Sequence, residues 1–169
     1  MSQEIRVVER TLGPALEVEA RCSVFKLPKL LGENYGQISA YCEASGIEPV
    51  DMPYARYFGI DWEKEARRGA LGMLKQMLME KMHFAAGRFV SAPADGDQSV
   101  QAQDFASQQY LSTFHIGPYM KVGDTYKRLL AHATVEGLAL IDHSIEHYVD
   151  DPTKVDKTEL RTEVMIPLR

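Results

Sequence analysis

The chain has 169 residues, of which 45% are hydrophobic and 25% charged, and it carries a net charge of −5. One domain of this length buries roughly two thirds of the surface its unfolded form exposes, so neither a disulfide nor a structural metal is needed to build a core. The acidic balance argues against direct nucleic-acid binding, which needs clustered Lys and Arg, and no apolar run approaches the roughly 18 residues of a membrane helix.

Ile5, Val7 and Val8 lie in a short β-rich stretch that ends at a Gly13-Pro14 turn signal. Leu16, Val18, Ala20, Cys22 and Val24 then alternate with Glu17, Glu19, Arg21 and Ser23, the period of a half-buried strand. A helix is expected from Gly32 or Glu33 to Ser45, with Gly46 as its C-cap. Pro53 to Ile60 reads as an aromatic-rich strand. Trp62 to about Lys81 reads as one long helix with Leu71, Leu74, Leu78 and Met82 at core spacing, thickened by Met73, Met77 and Met79. Phe84 to Val90 is a strand, and Ala92 to Gln103 a surface loop. Tyr110 to Ile116 is a strand, and Tyr119 to Glu136 a helix capped by Gly137. Ser144 to Val149 and Arg161 to Ile166 are the closing strands.

An ungapped repeat runs through this series. Residues 32–61 laid over 123–152, an offset of 91, give six identities in thirty positions: Gly32/Gly123, Tyr35/Tyr126, Ala40/Ala131, Gly46/Gly137, Asp51/Asp142 and Tyr57/Tyr148. About two identities are expected by chance at ordinary residue frequencies. The chain is therefore expected to be one α+β domain over residues 1–169, with pseudo-repeats of about 1–91 and 92–169. Neither unit can bury its sheet face alone, so the two should share one sheet with a cleft between them.

Glu146 is the departure from that repeat. It matches Ala55, whereas its neighbour Tyr148 matches Tyr57. On a strand, Glu146 and Tyr148 share one face while Ile145 and His147 take the other. A carboxylate on a core face is costly, so Glu146 either lies on a solvated face, pairs with a base, or serves a ligand. Tyr35, Tyr54, Tyr57, Tyr110, Tyr119, Tyr126 and Tyr148, with Trp62, Phe89 and Phe114, offer faces that attract flat organic cations, although for any one of them a place in the core or at its rim is the more ordinary use. His143, Glu146 and His147 also spell H-x-x-E-H, but that zinc motif requires a helix where the repeat asks for a strand. Cys22 and Cys42 show no metal spacing and read as free thiols. The polar start Met1-Ser2-Gln3-Glu4 is unlike an export signal, which makes the cytoplasm the default compartment.

Four ordered segments carry a family resemblance: His115-Ile116-Gly117-Pro118-Tyr119, Tyr126-Lys127-Arg128-Leu129-Leu130, Glu146-His147-Tyr148-Val149-Asp150-Asp151-Pro152, and Leu160 to Val164 running on to Ile166-Pro167-Leu168. In order and spacing they resemble the H-x-G-P-Y, E-x-Y-x-x-D-P and T-x-x-x-I-P-L pattern of the GyrI-like small-molecule-binding family, also met as the effector-binding domain of bacterial multidrug-responsive regulators. The resemblance implies two strand–helix–strand–strand units, a curved antiparallel sheet with helices on one face, and a central cleft. It implies that Glu146 is the pocket carboxylate for a small lipophilic or cationic organic ligand, without a cofactor or metal. The surrounding wall is expected from Tyr57, Trp62, Phe114, Tyr119, Tyr126 and Tyr148. No helix-turn-helix is evident ahead of the domain, which suggests a stand-alone binder, monomeric or homodimeric, that contacts neither nucleic acid nor membrane. Two alternatives stay open: a hydrolase of cyclopropanoid DNA-alkylating natural products with Glu146 activating water, and an interaction protein resembling gyrase inhibitors.

Overall fold

The computed structural model describes residues 3–169, and in the third helix the side chains other than those of Leu74 and Met77. Eight strands form one antiparallel sheet: β1 (Arg6–Arg10), β2 (Gly13–Cys22), β3 (Pro49–Phe58), β4 (Met82–Val90), β5 (Gln101–Phe105), β6 (Gln108–Ile116), β7 (His143–Tyr148) and β8 (Arg161–Pro167). Four α-helices accompany them: α1 (Leu27–Ser45), α2 (Trp62–Ala66), α3 (Ala70–Met79) and α4 (Val122–Glu136). The expected strand–helix–strand–strand unit occurs twice, as β2-α1-β3-β4 and as β6-α4-β7-β8.

The strand order is β1-β6-β8-β7-β3-β4-β2-β5, with the two units meeting at β7·β3. β1 precedes β2 but pairs with β6, whereas β5 precedes β6 but pairs with β2. Each unit thus lends its first strand to the outer edge of the other. In a flat sheet β1 and β2 would lie about 29 Å apart. Thr11 and Leu12 alone connect them, a reach of about 10 Å. The sheet must therefore curl until its edges approach, which makes it a half-barrel.

The curl gives the sheet two unlike faces. Both long helices pack on one face. α1 buries Ile38 and Cys42 against Leu16, Val18 and Val90, and α4 buries Leu129, Leu130 and Ala133 against Leu111, Val164 and Ile166. The opposite, inward face closes on a core of its own, made of Ala15, Tyr54, Phe89, Tyr110, Ile145 and Met165. Both helices stop at a glycine in the left-handed region, Gly46 at φ 66° and Gly137 at φ 64°, as the repeat led us to expect. There the missing Cβ avoids a steric cost and the cap amides reach the last carbonyls.

Three expectations change. Helix α1 starts at Leu27, five or six residues early, because Pro28 sits in its first turn, where a missing N–H costs nothing. The long helix over 62–81 is broken at Arg67–Gly69 into α2 and α3, and Leu71, Leu78 and Met79 are exposed instead of serving the core. The expected core roles of Leu74 and Met77 lie outside the described side chains. The 92–103 loop gives way to β5 at Gln101. Cys22 and Cys42 are free and buried.

Candidate functional site

The centre of the helix-bearing face is the pair Ala55 on β3 and Glu146 on β7, which lie directly opposite each other in the sheet. They are also 91 residues apart, the repeat offset, so an approximate two-fold axis passes between them. Tyr57 and Tyr148 are exchanged by that axis, and both share this face. From above, α1 and α4 deliver Tyr35 and Tyr126, the other tyrosine pair of the repeat. Four tyrosines in two related pairs therefore surround a single carboxylate.

Glu146 is 7% exposed. The Tyr126 hydroxyl donates to its Oε1 at 2.9 Å and lies 2.8 Å from Ser144 Oγ. A phenol has one proton, so with Glu146 ionised the Ser144 hydroxyl donates to Tyr126. Tyr57 and Tyr148 lie close enough for each phenol to perturb the other's ionisation. Burial pushes the Glu146 carboxyl up to about 7, against the smaller opposing effect of the Tyr126 bond. Among the described residues no Lys, Arg or His forms an ion pair with it. Burial, and then the Glu146 charge, raise the phenols of Tyr35 and Tyr126. For Tyr148, burial is followed by Tyr57 and then Glu146.

The other expected residues divide. Trp62 opens α2, where Asp61 caps the helix by accepting from Lys64 N–H. Its ring stacks on Tyr126 at 6.1 Å, and its indole N–H donates to Ile141 O at 2.6 Å. Tyr119 stands half-exposed at the margin, edge-on to Tyr148 at 5.2 Å. Phe114 does not join them. It pairs with Glu163, while Thr113 pairs with Val164, the partner of Glu146. Strand alternation therefore places Phe114 on the inward face, a correction to its expected role in the wall. The same alternation sends His143 and His147 to the face opposite Glu146, so H-x-x-E-H gathers no ligand set on this strand.

Sequence reasoning missed other polar groups. Glu17 looked like the outward half of an alternating strand, yet it is fully buried on the inward face. It accepts from Tyr54 Oη at 2.9 Å and from Arg56 Nη2 at 2.5 Å. The Arg56 guanidinium in turn stacks on Phe58 and Phe105. Each Glu17 oxygen thus has a donor within the fold. Arg56 Nε and His147 Nε2 lack a hydrogen-bond partner on that inward face, and so do two buried atoms elsewhere, Arg88 Nε and Thr162 Oγ1. These last two belong to the face that carries Glu146. Tyr35 was visible through the repeat as the counterpart of Tyr126 but was not singled out. A groove of about 580 Å³ runs between α2 and α3, lined largely by charged side chains such as Glu63, Lys64, Arg67 and Lys75.

A family model for the GyrI-like small molecule binding domain matches residues 75–169, more than half of the chain. The chain belongs to the GyrI-like family. Its general role is therefore small-molecule binding. Comparison with curated proteins returns no match. Among solved structures, the EcmrR C-terminal domain aligns over 100% of this chain and 99% of its own, at a TM-score of 0.67 and 18% identity. EcmrR in its DNA complex aligns with a TM-score of 0.75 and 18% identity over 98% of this chain, which spans 57% of that longer one. A hydrolase from Listeria innocua aligns at 0.65 and 12% identity, over 99% of this chain and 92% of its own. SAV2435 bound to tetraphenylphosphonium aligns at 0.56 and 9% identity, over 100% and 94%. At these identities the likeness is one of fold. Within the described residues, no helix of this GyrI-like chain is long and apolar enough to cross a membrane.

Proposed function

We propose that this GyrI-like domain binds lipophilic organic cations at Glu146, with Tyr35, Tyr57, Tyr126 and Tyr148 as the surrounding aromatic wall and Trp62 and Tyr119 behind and beside it. The observation that carries the reading is a buried carboxylate with one phenol donor and no basic partner among the described residues. An uncompensated buried charge is expensive, and an incoming cation would relieve that cost while meeting aromatic faces that favour it. The tetraphenylphosphonium held by SAV2435 is a ligand of this chemical kind.

The test is a titration with methyltriphenylphosphonium and with neutral triphenylphosphine oxide, followed by the fluorescence of Trp62, the chain's single tryptophan. Glu146→Gln should weaken the cation about tenfold or more and leave the neutral compound within about twofold. Equal affinities in parent and variant for both compounds would reject the role of Glu146. A second reading rests on the Glu146 carboxyl titrating near neutrality, where one group can both take and give a proton. It makes the domain a hydrolase of strained electrophiles, and it requires a water adduct of a cyclopropanoid compound in the mass spectrum. Bound but unchanged compound leaves the binding function standing alone.

A further inference from the structure

Arg88 lies on β4 two residues from Ala86, which pairs with Ala55, and Ala55 pairs with Glu146. Alternation along β4 therefore puts Arg88 and Glu146 on the same face. The two strands flank β3, so their separation is two strand spacings across and about two residues along, roughly 12 Å between Cα atoms. The guanidinium has no ion pair or hydrogen bond with any described residue, and its Nε is buried. Its positive charge acts on Tyr35 and Cys42, both of α1, while the negative charge of Glu146 acts on Tyr35 as well. One tyrosine of the wall thus lies within reach of two opposite charges that do not neutralise each other.

The repeat sharpens this asymmetry. Ala86 and Val164 are corresponding positions, since they pair with Ala55 and Glu146 respectively. Two residues further along each strand stand Arg88 and Ile166, and Ile166 is fully buried in the core under α4. The second unit therefore fills with a hydrocarbon the position that the first gives to a cation. Glu146 for alanine and Arg88 for isoleucine are departures of opposite charge on one face. The β3 register shift between Val50 and Tyr54 lies beside Arg88 and interrupts the regular strand there. Thr162 Oγ1, fully buried and unpartnered next to Tyr148, adds an unused polar group on the same face.

We infer that Arg88 is the second polar end of the binding site and that the ligand is two-headed, with a cationic group for Glu146 and a carboxylate or equivalent anionic oxygen on the order of 10 Å away. This rests on the reading of Glu146 as the cation site. An arginine fork suits a carboxylate geometrically and repels a second cation.

The decisive comparison uses a rhodamine carrying a free benzoate and its ethyl ester, two dyes with the same cationic ring system. At pH 8 the parent should bind the acid about tenfold more tightly than the ester, the value of one charge-assisted hydrogen bond. Arg88→Met should bring the acid to the ester's affinity and leave the ester within about twofold, while Arg88→Lys keeps most of the preference. Equal binding of acid and ester by the parent overturns the inference, as does equal weakening of both dyes by Arg88→Met. Should that variant not fold, the acid–ester comparison on the parent still decides. Glu146→Gln should weaken both dyes alike. Unchanged binding of both would remove the cation site while leaving an anion site at Arg88, so the two failures are separable. No binding of either dye by the parent overturns both readings.

Discussion

At the scale of single residues, the consequential quantity is the proton on Glu146. Burial lifts its carboxyl from an ordinary 4.5 to about 7. The folded state therefore holds a proton that the unfolded chain has already released. The domain loses stability as pH rises from about 4.5 through about 7, and the loss is complete above that, on the order of 3 kcal/mol. Glu146→Gln removes this penalty. Its thermal midpoint should lie above the parent's at pH 8 and converge with it near pH 5, and a variant no more stable at pH 8 would contradict the buried carboxylate. The proposed cation binding would draw on the ionised form. Affinity for methyltriphenylphosphonium should climb about tenfold per pH unit below 7 and level off above it, whereas triphenylphosphine oxide should show no such profile. Glu146 was legible because it broke a repeat that its neighbours obeyed. Glu17 was not, because alternation assumes one wet face, and a sheet that curls on itself leaves the central part of neither face wet. Arg88 and Thr162 were illegible for a related reason: a lone arginine or threonine on a strand carries no signal until its lack of partners is seen.

At the scale of elements, repeat and capping signals located the ends of α1 and α4 well, since Gly46 and Gly137 each have one conformational job. Their starts were less visible, because each helix is entered through a 3-10 turn, 24–26 and 119–121, without a side-chain cap. The stretch 62–82 misled in the other direction. Leucine and methionine spacing is equally regular in a continuous helix and in a broken one, and Arg67-Arg68-Gly69 interrupts the axis without disturbing that spacing. Strand β5 (QAQDF) was hidden by polar composition, as edge strands often are. One contact fixes how β3 lies on β4. A Cβ added to Gly87 would fall 2.1 Å from Tyr54 Cζ, and the ring cannot swing away, because it is fully buried and its hydroxyl serves Glu17. Gly87→Ala should therefore lower the urea midpoint by the equivalent of about 1–3 kcal/mol. A neutral result would mean that the two strands part more easily than their packing implies.

At the scale of the whole molecule, the exchange of β1 and β5 makes each unit incomplete without the other. Residues 1–169 are accordingly expected to unfold in urea as one cooperative transition. Fragments 1–95 and 96–169 should each lack stable tertiary structure and regain the parent's near-ultraviolet circular dichroism when mixed, and a fragment that folds alone would refute the interdependence. The exchange itself was not foreseeable, because a two-residue link between strands ordinarily signals a hairpin, and here twice it does not. The approximate two-fold at Ala55 and Glu146 has a consequence for any guest. Tyr35 and Tyr57 on one side mirror Tyr126 and Tyr148 on the other, so a molecule anchored by its positive charge alone meets almost the same surroundings when turned end over end. It would occupy both poses, gaining mixing entropy and giving up a defined orientation. A guest that must settle into one pose has to find something that only one of the two halves possesses.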